Sequence, residues 1–320
     1  SRRRHHRIRR HPLSRLAAAG DTATAAGIYE QIWSADLPAA RRVGGLVGLA
    51  QVAPDEAVPI VLSTLTAEDP VLRATATQLA GRLPGGAMTT ALVERLSQLD
   101  AAAQVLLLDA LAQRGDRAAA PAVLKLTDSE TEAVRVAAVT ALARLGDASL
   151  VKRLVELAAT GGGAVQPAAQ SALAKMTGTD VEPTLLTMAG GGEPVRRAVI
   201  LRVLAARRST GAASLLLRAA AESDAQVRQA AFEALAAVAD ADSYGPLVAL
   251  LVAAQTPADA PPLGDRGGVS PPVLQVTAQT PADTQACERA VLEAGSRLAS
   301  EQQRLAPLLA ALDRASDQAK

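Results

Sequence analysis

Glu130–Asp147 reads E-T-E-A-V-R-V-A-A-V-T-A-L-A-R-L-G-D, and the whole chain is organised around this pattern. Counted from Arg135 as zero, apolar residues fall at −1 (Val134), +3 (Ala138), +6 and +7 (Ala141, Leu142) and +10 (Leu145). That spacing is one face of an α-helix. Gly146 follows the last apolar residue and is expected to end the helix in a left-handed conformation, which costs least without a Cβ. The same phase recurs at Arg42, Arg73, Gln104, Arg135, Gln166, Arg196 and Arg228, at intervals of 31, 31, 31, 31, 30 and 32 residues. A period this regular, with helical spacing inside each unit, predicts an all-α, right-handed α-solenoid of stacked helical hairpins whose apolar faces are buried only against their neighbours.

Composition agrees. Tyr29, Trp33, Phe232 and Tyr244 are the only aromatic residues among 320, so the β-branched and aromatic strands of a sandwich or barrel are missing. The net charge of +1 hides an asymmetry. Arg2, Arg3, Arg4, Arg7, Arg9, Arg10 and Arg15 lie in the first fifteen residues, leaving 26 basic against 32 acidic residues in the remainder. The organisation expected is a basic tail at 1–15, a solenoid at 16–253, a Pro/Gly-rich insertion at 254–283 and a final, incomplete repeat at 284–320. The insertion is flanked by a duplicated A-Q-T-P-A-D, at Ala254–Asp259 and Ala278–Asp283. Beyond it, Leu292 is expected to take the place of Leu142, and a closing helix is expected over Ser300–Ala315.

Within each unit an outer helix precedes the inner helix of the Arg135 type; Thr22–Ser34 is the first of them. Tyr29 and Trp33 are expected to cover the open end of the array, with ligand stacking as the alternative. Asp69, Asp100 and Asp224, four residues before the phase position, are expected to cap inner helices, and the arginine at zero to reach a neighbouring repeat's turn. In two middle repeats glycine is read at that place, Gly162 and Gly192, within Gly161–Gly163 and Gly190–Gly192. Neither run follows a strand or matches a nucleotide-binding fingerprint, so both are read as loose turns, with residues 160–195 the most flexible part of the array.

The chemistry available is narrow. His5, His6 and His11 all lie in the tail, and from Leu16 onward there is no histidine and a single cysteine, Cys287. Ser-His-Asp and Cys-His sites, a typical zinc site and histidine acid–base chemistry are thereby excluded from the body. Arg114-Gly115-Asp116 spells an adhesion tripeptide, but its Gly-Asp aligns with Gly146-Asp147 and reads as turn chemistry. No catalytic, cofactor or metal residue is assigned.

What the inner helices offer is a surface. Positions +5 and +9 point away from the apolar face, and four repeats place there Gln78 with Arg82, Asp109 with Gln113, Thr140 with Arg144 and Ser171 with Lys175. The +5 series continues to Leu201, and the +9 series to Ala205 and Ala237. With inner helices roughly 8–10 Å apart, these residues form a polar stripe with basic groups at Arg82, Arg144 and Lys175. They are the candidate protein-binding residues; the bland alternative is a solvated helix face.

The V-R-x-x-A-x-x-A-L-x-x-L-G-D pattern at Val134–Asp147, echoed at Leu72-Arg73, Val195-Arg196 and Val227-Arg228, resembles HEAT repeats, and the short period is most similar to bacterial HEAT-like repeats such as those of phycobilin lyases. The resemblance implies a scaffold that binds a protein partner or a neighbouring domain of a longer chain, without enzymatic activity of its own. It also raises an alternative, an accessory or lyase-type protein acting on a cofactor-bearing partner. A third reading, independent of the resemblance, is polyanion or nucleic-acid binding through the basic tail. No apolar run is long enough for a membrane span. The chain opens on Ser1, so an upstream export signal is compatible with it and the compartment stays open.

Overall fold

A computed structural model of the chain describes residues 21–255 and 281–298, together with Ala306, Pro307 and Ala310. These residues form α-helices and short 3₁₀ turns, with no strand among them. The basic tail and its histidines lie outside them, as does most of the closing helix expected over Ser300–Ala315. The chain divides into two compact units, one ending at Gly146 and the other beginning at Asp147.

The first unit runs α1 (Thr22–Ser34), α2 (Ala39–Val52), α3 (Pro54–Thr64), α4 (Pro70–Arg82), α5 (Gly86–Leu96), α6 (Ala101–Arg114), α7 (Ala120–Lys125) between two 3₁₀ turns, and α8 (Glu132–Leu145). The inner helices α2, α4, α6 and α8 pack each against the next, and their hairpin partners α1, α3, α5 and α7 are the outer layer. The second unit repeats the alternation: outer α9 (Val151–Thr160), inner α10 (Val165–Lys175), outer α11 (Val181–Ala189), inner α12 (Pro194–Ala206), outer α13 (Ala213–Ala219), inner α14 (Ala225–Val238), outer α15 (Ala241–Gln255) and inner α16 (Pro281–Arg297). Each unit is a solenoid of helical hairpins, and its core is the one read from the pattern: Val134, Ala138, Ala141, Leu142 and Leu145 are all at most 1% exposed.

The predicted phase needs one correction. In α12 Pro194, Val195, Arg202 and Ala206 are exposed, while Ile200, Leu201, Val203 and Leu204 are buried, so the residue equivalent to Arg135 is Arg197, not Arg196. Val195-Arg196 resembles Val134-Arg135 in residue type, but Pro194 opens α12 as Pro70 opens α4, and Pro-Val-Arg-Arg at 194–197 matches Pro-Val-Leu-Arg at 70–73. With Arg197 as zero, every interval from Arg42 to Arg228 is 31 residues. The residue four before it becomes Glu193 rather than Gly192.

The caps follow the expectation where aspartate is present. The Asp69 side chain accepts from the N–H groups of Val71 and Leu72, Asp100 from Ala103, and Asp224 from Gln226 and Val227. The arginines behave differently from the expected ladder. Arg73, Arg135 and Arg228 donate to the carbonyls five and six residues before them, fastening the turn of their own repeat. Two of them also reach forward: Arg197 donates through both terminal nitrogens to the Glu222 carboxylate of the following repeat at 2.5 and 2.6 Å, a pairing that raises its pKa further, and Arg228 donates to the Asp283 carboxylate on α16.

Repeats are joined by another set of arginines. Arg114 donates to the carbonyls of Ala80, Leu83 and Gly85 at the end of the preceding inner helix and, through Nε, to Thr89 Oγ1. Burial presses this guanidinium below its ordinary value, against the opposing pull of Asp116. Arg207 clasps the carbonyls of Leu173, Ala174 and Met176 in the same way. Both stand at +10, where other repeats place buried Leu83, Leu145, Met176 and Val238. Orphan carbonyls of a helix C-terminus are satisfied by a side chain from the next repeat instead of a cap. Arg114-Gly115-Asp116 is therefore structural: Gly115 is left-handed (φ 68°), and the Asp116 carboxyl, held down in pKa by Thr89 and the Ala118 N–H, opens the next turn.

Gly146 does not match its expected conformation. Its φ of −82° and ψ of 169° are extended, as at the ends of α4, α10 and α14, where no glycine is present. The first repeat, by contrast, depends on glycine. A Cβ on Gly48 would fall 2.1–2.5 Å from the ring atoms of Tyr29, which is 5% exposed and seals the α1–α2 contact. Trp33 is half-buried with the Arg42 guanidinium 4.6 Å above its ring, and Arg42 Nε donates to the Trp33 carbonyl.

Around the insertion, Ala254 and Gln255 belong to α15, and Pro281–Asp283 open α16; residues 256–280 lie outside the described residues. The two hexamers thus border different helices. Leu292 does not replace Leu142: it is 74% exposed, and the buried line of α16 is Cys287, Ala290, Val291 and Ala294, with Leu298 just beyond its end.

Two measurements test local consequences. α10 and α12 lack a side-chain cap and follow left-handed glycines, Gly162 (φ 58°), Gly163 (φ 50°) and Gly192 (φ 101°). Amide exchange is expected to be faster in their first turns than in the Asp-capped first turns of α4, α6 and α14; equal protection would refute it. Cys287 is fully buried, and burial, aided by Glu288, pushes its thiol up to about 12. An acid raised above its unfolded value of ~8.5 stabilises the fold below that pH and loses this contribution as the pH rises beyond it. At about pH 8 a disulfide reagent should label Cys287 only through opening of α16, and at once in denaturant; immediate labelling of the native protein would contradict the burial.

Candidate protein-binding surface

The inner-helix face uses its charges differently in the two units. In the first unit Gln78 and Arg82 on α4, Asp109 and Gln113 on α6, and Thr140 and Arg144 on α8 are all exposed. The 31-residue period places them at equivalent points of successive helices, so the face is built by repetition rather than by convergence of distant segments. Gln113 Nε2 donates to Asp109 Oδ2 at 2.7 Å. The same side chain lies over Gly81, where a Cβ would come within 2.9 Å of its Oε1, so this glycine lets α6 close onto α4. Thr140 Oγ1 donates back to the Val136 carbonyl at 2.8 Å, which turns its hydroxyl donor inward. Arg82 and Arg144 have no hydrogen-bond or ion-pair partner among the described residues. They contrast with Arg73, Arg114 and Arg135, which are committed to backbone carbonyls.

In the second unit Ser171 is half-buried and Lys175 exposed on α10. The predicted continuation to Leu201 and Ala205 does not hold. Leu201 is fully buried, as the one-residue correction of phase requires, and the equivalent positions are Arg202 and Ala206. Arg202 Nε donates to Glu233 Oε2 at 3.0 Å, and Gln229 Nε2 donates to the other oxygen at 3.1 Å. This pair, absent from the sequence reading, closes the charged face of α12 and α14 on itself, whereas Lys175 on α10 has no hydrogen-bond or ion-pair partner among the described residues. Arg202 and Glu233 were legible from strict 31-residue counting.

The same face has an apolar half that the sequence reading passed over. At the N-terminal ends of the first unit's inner helices stand Val71, 52% exposed, Ala74, Ala102 and Ala133, also exposed, and half-buried Val105 and Val136. Each inner helix thus presents small apolar residues in its first turns and polar or basic residues in its last. A shallow depression lined by Trp33, Arg42, Glu68, Asp69 and Leu72 lies at the loop edge of this unit. Tyr29 takes no part in it.

No group of three or more His, Cys, Asp or Glu side chains is placed to hold a metal ion among the described residues, nor is any described helix long and apolar enough to cross a membrane.

Residues 89–174 match the family model for HEAT repeats. The helical pairs within this stretch are similar to HEAT repeats, and the helices before and after them continue the same period. No curated protein matches the chain in sequence. Among solved structures, human deoxyhypusine hydroxylase in complex with glycerol is similar at 17% identity over 88% of this chain and 100% of its own, with a TM-score of 0.37. The CpcE–CpcF complex of phycocyanin lyase from Nostoc sp. PCC7120 is similar at 19% identity over 80% of this chain and 93% of its own, with a TM-score of 0.35. YibA of E. coli is similar at 14% identity over 82% of this chain and 95% of its own, with a TM-score of 0.38. At these scores the likenesses carry no argument about activity.

Proposed function

We propose that this HEAT-repeat chain is a non-enzymatic scaffold that binds a protein partner, or a neighbouring domain of a longer parent chain, on its inner-helix face. The observation that carries the reading is the contrast between arginines. Those at the turns and at +10 are spent on holding the fold, whereas Arg82 and Arg144 stand exposed at equivalent positions with no partner among the described residues. A repeated face of small apolar and basic residues suits an extended protein segment better than a small molecule, which needs an enclosed cavity. With no aromatic anchor on it, the face binds modestly unless the partner brings its own.

Photo-cross-linking residues introduced at Gln78 and Thr140, compared with one at exposed Glu94 on α5, test this in lysate of the source organism. Adducts to one protein at 78 and 140 but not at 94, lost when Arg82 and Arg144 are both changed to Ala, are expected. Equal adducts at 94, or none at 78 and 140, would overturn the reading.

A further inference from the structure

From the charge and apolar pattern of the first unit we infer that its inner-helix face takes an acidic, apolar, extended peptide segment running across the helices. This rests on the reading of that face as a binding surface. Arg82 on α4 and Arg144 on α8 flank Asp109 on α6, and Asp109 is engaged by Gln113 at 2.7 Å, so its charge is partly taken up within the face. The cations are two repeats apart, hence about 16–20 Å at the usual inter-helix spacing, which an extended strand spans with about five or six residues. A segment lying so meets two guanidinium groups on one side. On the other it meets Val71, Val105 and Val136, apolar groups that an acidic chain without hydrophobic residues would leave wet. Guanidinium groups favour carboxylates through paired, charge-assisted hydrogen bonds.

Fluorescence polarisation with labelled peptides of about 12 residues, long enough to span both cations when extended, tests the inference on the full chain. One peptide alternates Glu with Leu, one Lys with Leu, and one Glu with Ser. The Glu/Leu peptide is expected to bind best. Changing Arg82→Glu together with Arg144→Glu should weaken it by about tenfold or more and transfer preference to the Lys/Leu peptide. Arg82→Gln with Arg144→Gln should give an intermediate loss, and Arg117→Glu, exposed at the turn before α7, should change nothing. Unfolding midpoints of all variants should stay at the wild-type value. Equal binding of Glu/Leu and Lys/Leu peptides, equal binding of Glu/Ser and Glu/Leu, or indifference to the double reversal would overturn the inference. Cross-links from 78 and 140 to a partner lacking acidic segments would leave the scaffold reading standing while this one falls; no cross-links there would remove both.

Discussion

Changing Asp283→Ala is expected to destabilise the second unit by about 3–5 kcal/mol, because it strands a charge that has nowhere to go. The Arg228 and Asp283 side chains are 3% and 7% exposed and meet at 2.8 Å. Arg228 also gives its other terminal nitrogen to the Glu222 and Ser223 carbonyls. Removing the carboxylate leaves a guanidinium in a dry contact between α14 and α16. Removing both charges is a different experiment: Arg228→Met with Asp283→Leu replaces the pair by apolar groups of similar size and should recover most of the loss. Denaturant unfolding of the single and double variants measures both. If the single change were harmless, α16 would not be docked as described; if the double were as damaging as the single, the carbonyl bonds of Arg228 would be the dominant contribution.

Leu142→Ala is expected to cost about 2–5 kcal/mol by opening a cavity in the first unit. Leu142 is fully buried on α8, two residues before exposed Arg144. Arg144→Ala, on the opposite face of the same helical turn, should cost well under ~1 kcal/mol. The pair tests the phase of the repeat with a minimal change of position. In a repeat array unfolding need not be two-state, so exchange protection in α6 and α8 should be followed beside the denaturation midpoint. Equal effects would mean that the two faces of α8 had been assigned wrongly.

Most of the fold was legible because one physical requirement recurs in every unit. A helix that buries Val134, Ala138, Leu142 and Leu145 announces itself by spacing alone, and so does Thr22–Ser34, which the structure reproduces residue for residue. The error at Arg196 came from weighing residue type above position. Val-Arg looked like the motif, but burial follows the helical face, and there the arginine in register is Arg197. Spacing alone also does not reveal the part played by Arg114 and Arg207, which occupy a position that other repeats fill with an apolar residue. Leu292 illustrates the opposite limit: a leucine at a plausible distance from an insertion does not reveal which way α16 is turned. Of the candidate surface, the exposed positions in the first unit were readable from +5 and +9 counting. That Gln113 would bind Asp109, or that Thr140 would turn back to Val136, depends on rotamers that no spacing specifies.

The carbonyls taken by Arg114 and Arg207 belong to the main chain, which every inner helix possesses whatever its side chains. The joint between repeats is in this respect blind to sequence. A copied or diverged unit needs to supply only one long cationic side chain to be held by its predecessor, and the predecessor needs to change nothing. An array fastened in this way can lengthen by duplication and drift on its outward faces without re-matching pairs of residues at each new seam.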